Sequence, residues 1–310
     1  MLGNISKDRN ILLDGGIPLV GGIAIVAILL LTLFFNKIFL FVTYPYERII
    51  SISFWSLIIL IFGVCDDWKS ASILQKFLWQ IMCALGLLFC GIGIHLPVIG
   101  DPGSFILNLL WIVGLTNAFN LLDVSDGVCS VITLLAVVTV GCIAAMTDCR
   151  DVAVIACVLV PAILGFLFLN FPPAKIYLGN AGSHCLGFIL AALTLTLLGD
   201  VPSMAMGFSV LMILWLPVFE TVCLVFFRLR KKINPLQKSD DHLALRFLGR
   251  GFTRQQVLLG MSAMAGLFSI LGIYLYRSFT VPLAWSMALI VVVVSILMIF
   301  LLLFLEEHGA

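Results

Sequence analysis

The stretch VCSVITLLAVVTVGCIAAMT, residues 128–147, runs for 20 residues without a charged side chain. An α-helix needs about 20 apolar residues, each adding about 1.5 Å, to cross the hydrocarbon core of a bilayer. The stretch is continuously apolar and does not alternate with polar residues, which favours a helix over a strand of a membrane barrel. It therefore predicts a transmembrane helix, and comparable runs recur along the whole chain.

The composition of the chain agrees with an integral membrane protein. Of the 310 residues, 62% are hydrophobic and 11% are charged, whereas soluble domains carry about 25% charged residues. The nine cysteines include no CxxC pair, so we expect free buried thiols rather than disulfides or a zinc site. The formal charge of +1 says little about partners, and no nucleic-acid partner is expected.

The predicted fold class is all-α: a polytopic membrane bundle of about ten transmembrane helices, formed by residues 1–310 as one domain. The run 104–119 is short for a span and is expected to form a thin or tilted helix. The candidate spans are 18–42, 49–65, 73–95, 104–119, 128–147, 152–170, 183–199, 203–228, 255–276 and 281–304.

Basic residues indicate how the bundle is oriented. Ten spans place both termini on one side of the membrane. If that side is the cytoplasm, four of the 17 Lys and Arg residues lie outside, namely Lys37, Arg48, Arg150 and Arg277, and the remaining 13 lie inside. This follows the positive-inside rule. Residues 229–254 then form a cytoplasmic loop, the longest polar segment of the chain.

Four polar groups fall on the predicted cytoplasmic face. Because the spans were placed from hydropathy alone, this convergence indicates one shared site. The groups are Asp66–Asp67 after the second span, Asn117, Asn120, Asp123 and Asp126 in NAFNLLDVSDG, the loop NFPPAKIYLGNAGS from Asn170 to Ser183, and Asp240, Asp241, His242 and Arg246 in SDDHLALRFLGRG.

The acids of the first two groups suggest a metal site. Carboxylates crowded at a membrane surface cost energy unless a cation or a proton offsets them. Asp66 and Asp67 with Asp123 and Asp126 form an oxygen-rich set suited to Mg²⁺, which takes few protein ligands and leaves positions for phosphate. The last two acids share a face if their stretch is helical. The alternative for Asp66–Asp67 is a solvated helix end that pairs with Lys69.

The turn GNAGS is a candidate phosphate site. Gly179, Gly182 and Ser183 would open the seventh helix and leave backbone N–H groups free to meet an anion. The alternative is an ordinary glycine turn before a helix. His242 and Arg246, one helical turn apart, are further candidates for phosphate contacts, against the alternative that a lone loop histidine is incidental.

Glu220 is an acid inside an apolar run, just after Pro217. Such a residue normally faces the protein interior or a wet cavity. Two interpretations remain open: Glu220 supports the site, or it stabilises a bent helix through Arg228 or a freed backbone group.

These motifs, taken in order, resemble those of the polyprenyl-phosphate N-acetylhexosamine-1-phosphate transferases, glycosyltransferase family 4. The resemblance covers nearly the whole chain. IPLVGGIAI (17–25) resembles the P-x-x-G-G segment, and GVCDDWKS, followed by Lys76 and Gln80, resembles the double-aspartate motif. NAFNLLDVSDG resembles N-A-x-N-x-x-D-G-x-D-G, and GFLFLNFPPAKIYLGNAGS resembles the stretch that ends in G-D-x-G-S. PVFET (217–221) and DHLALRF complete the series.

The resemblance implies an enzyme that transfers N-acetylhexosamine-1-phosphate from a UDP-sugar to undecaprenyl or another polyprenyl phosphate. UMP would be released and a cell-surface glycan started, with Mg²⁺ as the cofactor and Mn²⁺ as an alternative ion. N-acetylglucosamine is the expected sugar, because the triple histidine of the muramoyl-pentapeptide enzymes is missing. The protein would lie in the plasma (inner) membrane with its site facing the cytoplasm, and a homo-oligomer stays open.

The resemblance also assigns roles to individual residues. It implies catalytic roles for Asp66, Asp67 and His242, and metal ligands at Asp67, Asp126 and Asn180. Substrate contacts are implied for Asn117, Asn120, Asp123, Asp126, Asn170, Tyr177, Lys76 and Arg246, with Tyr177 stacking on uracil.

The chain departs from the family pattern at three places. Asn180 stands where the family has a metal-binding aspartate, so an amide replaces a carboxylate. The histidine motif is reduced to His242, with Arg246 as a candidate replacement for the missing cations. Val124 replaces a glycine. The chain also starts where the family usually has its second span, which suggests a missing first helix or a late start.

Two other function classes are compatible with these residues. One is a non-catalytic relative that binds a nucleotide sugar or a lipid phosphate, for which Asn180 is the main argument. The other is a lipid or solute transporter, whose polar site would normally lie near the middle of the membrane rather than at helix ends.

Overall fold

The computed structural model describes residues 13–14, 17–39, 47–237 and 239–308. In this part of the chain the structure is helical except for one short antiparallel pair, β1 (Leu13–Asp14) and β2 (Ile17–Pro18), with Leu13 opposite Pro18. The helices are α1 (Gly21–Phe39), α2 (Glu47–Trp68), α3 (Ile73–Phe89), α4 (Gly100–Leu122), α5 (Val128–Met146), α6 (Arg150–Asn170), α7 (Gly179–Asp200), α8 (Met204–Ile213), α9 (Trp215–Arg230), α10 (Leu243–Leu248), α11 (Arg254–Arg277) and α12 (Val281–His308).

The prediction of an all-α, polytopic membrane protein is confirmed. Among the described residues, seven helices are long and apolar enough to cross a membrane, and the bent pair α8–α9 makes an eighth. Residues 21–32 of α1 and the whole of α3 are shorter apolar helices, so each of the ten predicted spans contains helix. Residues 40–42 of the first predicted span, and the basic residues Lys7, Arg9 and Lys238, lie outside the described residues.

Two of the predicted spans have different bounds in the structure. The fourth is not short: α4 covers 23 residues, from Gly100 to Leu122. Its polar residues lowered the hydropathy of the ends, but they are accommodated by partners on neighbouring elements. Asn120, in the last turn, donates to the side chains of Asn180 and Ser183 in α7. Such pairing removes most of the cost of a partly buried amide.

The predicted span 203–228 is not one helix. It breaks at Leu214 into α8 and α9, whose axes differ in direction by 64°. The cause is Pro217, which has no N–H to donate to Ile213 and whose ring would crowd that carbonyl in a continuous helix. The helical bonding resumes when the N–H of Val218 donates to Leu214.

Helix α7 forms the centre of the bundle. In its apolar window 94% of the residues are buried, against 6% for α12. A helix that is apolar on all sides is stable only when neighbours surround it, and α7 packs against α1, α2, α4 and α5. Its first turn is consequently held among several helix ends, whereas α12 presents its apolar side chains outward.

Gly63 lets α2 approach the start of α7 closely. A Cβ added at this position would lie 2.3 Å from the Cα of Ala181, a separation that no side chain can relieve because the neighbour is backbone. The absence of a side chain at residue 63 thus brings the end of α2, with its two aspartates, against the first turn of α7.

The opposite ends of these helices carry a separate ionic cluster. Arg48, near the start of α2, donates to both carboxylate oxygens of Asp200 at the end of α7, at 2.7 Å each, and lies 3.8 Å from Asp151 at the start of α6. Polar groups at both ends and an apolar region between them are what a membrane-spanning bundle requires.

Candidate active site

Asp67 is bound to the N-terminus of α7. Its two carboxylate oxygens accept hydrogen bonds from the backbone N–H groups of Asn180 and Ala181, at 2.9 and 3.0 Å. The first N–H groups of a helix have no partner within the helix and carry partial positive charge, so a carboxylate is stabilised there. Gly179 begins the helix with φ +74°, a conformation that glycine adopts without strain.

The GNAGS turn therefore opens the seventh helix as predicted. Its N–H groups were also predicted to be free to bind phosphate. In the structure, the N–H groups of Asn180 and Ala181 instead donate to the carboxylate of Asp67. Sequence alone could not show this, because Asp67 lies 113 residues earlier in the chain.

Asp66, the other member of the pair, is bonded to Lys76. The ammonium of Lys76, at the start of α3, forms an ion pair with Oδ2 of Asp66, and the N–H of Ala71 donates to Oδ1 at 2.9 Å. Both aspartates are buried and Lys69 is exposed. The alternative of a solvated helix end pairing with Lys69 is therefore wrong.

The asparagines of α4 connect this helix to α3 and α7. Asn117 and Gln80 of α3 exchange two hydrogen bonds, at 2.6 and 3.2 Å. Asn120 donates to Oδ1 of Asn180 at 2.9 Å and to the hydroxyl of Ser183 at 3.0 Å. These contacts bring the predicted residues Asn117, Asn120 and Asn180 to the same end of the bundle as Asp66 and Asp67.

Asp123 and Asp126 lie in a turn, not on one face of a helix. Asp123 ends α4 with φ −82° and ψ 56°, and residues 124–127 form the turn that leads to α5. Asp126 is buried, forms an ion pair with Arg254 at 2.8 Å and accepts the N–H of Ala174 at 3.2 Å. The condition for a shared helical face is therefore not met, because α4 ends at Leu122, before both aspartates.

Asn170, at the end of α6, holds two segments of the site together. Its side-chain oxygen accepts from the N–H of Gly127 at 3.1 Å and from the hydroxyl of Ser130 at 2.9 Å, and its nitrogen donates to the carbonyl of Ile176 at 2.9 Å. The amide is thus engaged on both sides. Its predicted contact with substrate stays a prediction.

Tyr177 is held by the N-terminal segment of the chain. Its N–H donates to the carbonyl of Pro18 at 2.9 Å, and its own carbonyl accepts from Gly21 at 3.0 Å. The IPLVGG segment therefore pairs with the residues just before α7. This fixes the backbone of the aromatic residue that was predicted to stack on a nucleobase.

His242 and Arg246 belong to a second polar cluster, on α9 and α10. Glu220 accepts the N–H of Leu243 at 3.0 Å, and its Oε1 lies 3.4 Å from Nδ1 of His242. Arg246 donates to Oδ1 of Asp241 at 2.8 Å. The N–H that Glu220 accepts begins α10 and is not part of the bent helix, and it lies next to His242, a predicted site residue.

Asp241 is the acid that balances the second cluster. Burial alone would raise its pKa, but the hydrogen bond and charge of Lys231, together with the charge of Arg246, outweigh burial and hold the pKa below its ordinary value. The guanidinium of Arg246 also lies 3.6 Å from the centre of the Phe227 ring. Arg246 is therefore fixed by both an anion and an aromatic face.

The described residues offer few carboxylate ligands for a divalent cation. Within the described ranges, no three His, Cys, Asp or Glu side chains converge to hold a metal. Mg²⁺ does not require such a cluster, since it often takes one or two carboxylates and completes its shell with water and phosphate. Asp67 and Asn180 supply hard oxygen atoms in one place, which fits Mg²⁺, whereas Asp126 is balanced by Arg254. The three predicted metal ligands stay a prediction.

Four residues of the site are absent from the residue roles that the resemblance implied. Gln80 binds Asn117, Arg254 binds Asp126, Glu220 holds α10, and His184 is buried beside Asp66 and Lys76. Arg254 was counted only among the basic residues on the predicted cytoplasmic side. A signal existed for His184, since an isolated histidine in an apolar run is costly unless it faces a polar neighbour.

Comparison with known proteins identifies relatives across the chain. The family model described as glycosyl transferase family 4 matches residues 49–198. A protein of Bacillus subtilis named as a probable undecaprenyl-phosphate N-acetylglucosaminyl 1-phosphate transferase is 30% identical over 86% of this chain and 75% of its own length.

Other relatives match over shorter stretches. The decaprenyl-phosphate N-acetylglucosaminephosphotransferase of Mycolicibacterium smegmatis is 28% identical over 68% of this chain and 59% of its own length. A phospho-N-acetylmuramoyl-pentapeptide-transferase of Streptococcus agalactiae is 37% identical over 32% of this chain and 30% of its own length. The family match spans α2 to α7, the helices that carry most of the site, and on these similarities the chain belongs to glycosyl transferase family 4.

Proposed function

We propose that this protein transfers N-acetylglucosamine-1-phosphate, or a related N-acetylhexosamine-1-phosphate, from a UDP-sugar to undecaprenyl or another polyprenyl phosphate. UMP leaves, and the lipid-linked sugar starts a cell-surface glycan. The observation that carries the proposal is the similarity to the Bacillus subtilis protein over 86% of the chain. The buried carboxylates and cations at one end of the bundle supply the chemistry that such a transfer needs.

The reaction is a displacement at phosphorus. An oxygen of the acceptor phosphate attacks the phosphorus that carries the sugar, the bond from that phosphorus to the bridging oxygen breaks, and the bridging oxygen leaves with UMP. Both substrates are anionic, so charge neutralisation and in-line positioning matter more than a strong base. A carboxylate and a cation that can meet the acceptor phosphate are therefore the first requirement.

The pair Asp66–Lys76 meets this requirement. The side chain of Lys76 is 24% exposed while that of Asp66 is 2% exposed, so the cation is accessible at the surface of the pair. The acceptor phosphate binds the ammonium of Lys76, and Asp66 holds that ammonium in place and takes part in removing a proton from the phosphate. Asp67 fixes the first turn of α7 beside them.

The nucleotide sugar binds along the neighbouring polar groups. Asn120 and Asn180, which are bonded to each other, offer amide groups to the sugar phosphate, and Arg254 offers a cation beside Asp126. Tyr177 stacks on the uracil ring. His242 and Arg246 approach the diphosphate from the second cluster, where the exposed cation Lys231 adds positive charge.

Mg²⁺ is the cofactor that suits these donors, with Mn²⁺ as an alternative. Asp67 and Asn180 would hold the ion, and the phosphate oxygens of the donor would complete its shell. When bound, the ion neutralises charge that develops on the departing UMP. Because Asn180 offers a neutral amide oxygen, this protein should need more Mg²⁺ than a relative with aspartate at that position.

The plasma (inner) membrane is the proposed location, with the site facing the cytoplasm. The excess of Lys and Arg on that side supports this orientation, and UDP-sugars are cytosolic. The bilayer itself is a partner, since the acceptor lipid must enter from it. A homo-oligomer is compatible with the outward apolar face of α12.

A non-catalytic binding protein is the second candidate, and Asn180 is the observation that favours it. Loss of one metal-binding charge would weaken the ion without removing the sites for substrate. The experiment that separates the two is UMP release by the purified protein, given undecaprenyl phosphate and a panel of UDP-sugars with and without Mg²⁺. Metal-dependent release with one sugar supports the transferase. Absence of release in the protein, with release in Asn180→Asp, identifies the binding protein.

A further inference from the structure

His184 is a buried histidine that has no role in the proposed reaction and lies outside the motif residues to which a role was assigned. It lies in the second turn of α7, its residue is 5% exposed, and its Nε2 has no hydrogen-bond partner among the described residues. A buried polar atom without a partner costs about 1–3 kcal/mol. An apolar side chain would avoid this cost, so the presence of histidine calls for a functional reason.

The surroundings of the His184 ring indicate which of its two nitrogens carries the proton. The imidazole interacts with the backbone of Asn180, one helical turn earlier. The N–H of Asn180 is already donated to Asp67, so the group that is available to the ring is the carbonyl, which only accepts. Nδ1 therefore carries the proton, and Nε2 is left with a lone pair that can accept a hydrogen bond.

Nε2 is the ring nitrogen that has no partner in the described part of the chain, and His184 lines a small cavity between α2, α3 and α7. The polar residues in its wall are Asp66, Lys76, Gln80, Trp79 and His184 itself, and the remaining wall is apolar or glycine. The cavity measures about 10 Å³, which is roughly the space that one buried water needs. Since no described residue donates to Nε2, the atom can receive a hydrogen bond through one water in this cavity.

Lys76 is the best donor in this cavity. Its ammonium has three N–H groups, of which one binds Asp66. The amide of Gln80 is already engaged in the reciprocal pair with Asn117, and the indole of Trp79 is stacked on Phe62 with ring centres 5.0 Å apart. The ammonium therefore has more free donors than any other group that lines the cavity.

We propose that His184 is a positioning residue for Lys76: its Nε2 accepts a hydrogen bond from one water in the cavity, that water accepts from the ammonium, and His184 and Asp66 together fix the cation that binds the acceptor phosphate. Two anchors at an angle hold a flexible lysine better than one. This inference rests on the proposed function for the role of Lys76, but the His184–Lys76 contact itself does not depend on it.

The test is a double-mutant cycle with His184→Leu and Lys76→Met. Leucine fills the space of the ring and removes the lone pair. We expect His184→Leu to weaken binding of undecaprenyl phosphate to the detergent-solubilised protein about tenfold, the size of one hydrogen bond to a charged group. In the Lys76→Met background the same substitution should change the affinity less than twofold. His184→Gln, whose side-chain oxygen can occupy the position of Nε2, should restore affinity to within about threefold of the original protein.

Thermal unfolding of the same four proteins provides a readout without substrate. His184→Leu should lower the melting temperature in the original protein and have a smaller effect in Lys76→Met. If the lone pair has no partner, His184→Leu will instead leave the melting temperature unchanged or raise it, because an unsatisfied atom has been removed. That result overturns the proposal. A second contrary result would be that the effect of His184→Leu on the melting temperature is reduced by Trp79→Phe and not by Lys76→Met.

The two readouts separate this inference from the proposed function. If His184 and Lys76 are coupled in the melting temperature but the original protein releases no UMP, the inference about His184 holds and the proposed transferase function is wrong. If the protein releases UMP but the two residues are not coupled, the proposed function holds and the inference about His184 is wrong.

Discussion

Asp67→Asn should destabilise the protein as well as inactivate it. The carboxylate is buried and accepts two backbone N–H groups at 2.9 and 3.0 Å. In the variant, one side-chain oxygen can still accept, but the new NH₂ group faces an N–H and cannot. The variant therefore loses one hydrogen bond to a charged group and the charge at the N-terminus of α7.

The magnitude follows from these two losses. A hydrogen bond to a charged group contributes about 1.5–3 kcal/mol, and a carboxylate at a partly buried helix N-terminus adds up to about 2 kcal/mol. We expect Asp67→Asn to lower the free energy of unfolding by about 2–4 kcal/mol. A melting temperature measured by tryptophan fluorescence in detergent should fall by ~4 °C or more, since each kcal/mol shifts a large domain by about 2–4 °C.

Asp148→Asn is the matched control. Asp148 is exposed, has φ +54° and binds Arg150 of the neighbouring turn. Asparagine tolerates this left-handed conformation well, so the control should melt within about 1 °C of the original protein. A melting temperature of Asp67→Asn equal to that of the control would refute the assignment of Asp67 as the cap of α7, whatever the activity of the variant.

Three further predictions address packing, metal and pH. Gly63→Ala should lower stability by about 1–3 kcal/mol or prevent folding, because its Cβ would lie 2.3 Å from the backbone of α7, as thermal unfolding would show. Asn180→Asp should lower the Mg²⁺ concentration that gives half-maximal UMP release, because it restores a charged ligand. Asp241→Asn should make the free energy of unfolding depend less on pH in the acid range. The carboxylate of Asp241 has a lowered pKa, so its contribution is complete above the pKa of about 3.9 in the unfolded chain and is lost as pH falls through the folded value.

Each of the three has a control or a contrary outcome. Gly266→Ala is the packing control, since nothing lies within 4 Å of a Cβ at that position, and equal losses for both glycine variants would contradict the close approach. An unchanged Mg²⁺ requirement in Asn180→Asp would exclude residue 180 as a ligand. A profile for Asp241→Asn that runs parallel to the original at all pH values would show that Asp241 stays equally protonated in both states.

The helices of this protein could be read from the sequence because they are long and uniformly apolar. Residues 128–147 were predicted as a span, and α5 covers Val128–Met146. Prediction was poorer where the pattern is mixed. The polar ends of α4 concealed its length, and Pro217 ended a helix inside a run whose hydropathy gives no sign of a break.

The site residues were gathered correctly but their contacts were not foreseen. The sequence indicated that Asp66, Asp67, Asn120 and Asn180 share one end of the bundle, because successive spans alternate in direction. It gave Lys69 as the alternative partner of the aspartates, whereas Asp66 pairs with Lys76. It also left the N–H groups of α7 free for phosphate, whereas Asp67 occupies those of Asn180 and Ala181.

The sequence by itself determined the class of this protein. In apolar runs as long as a bilayer is thick, the backbone N–H and carbonyl groups must bond to each other, which a helix achieves within one segment. The motifs at the ends of these runs indicated the family. Only the tertiary structure decided which charge meets which. Pairing of Asp67 with α7, of Asp126 with Arg254, and the placing of His184 beside Lys76 depend on distances between segments far apart in the chain. Those distances follow from how closely helices pack, and Gly63 shows that a single missing side chain can set them.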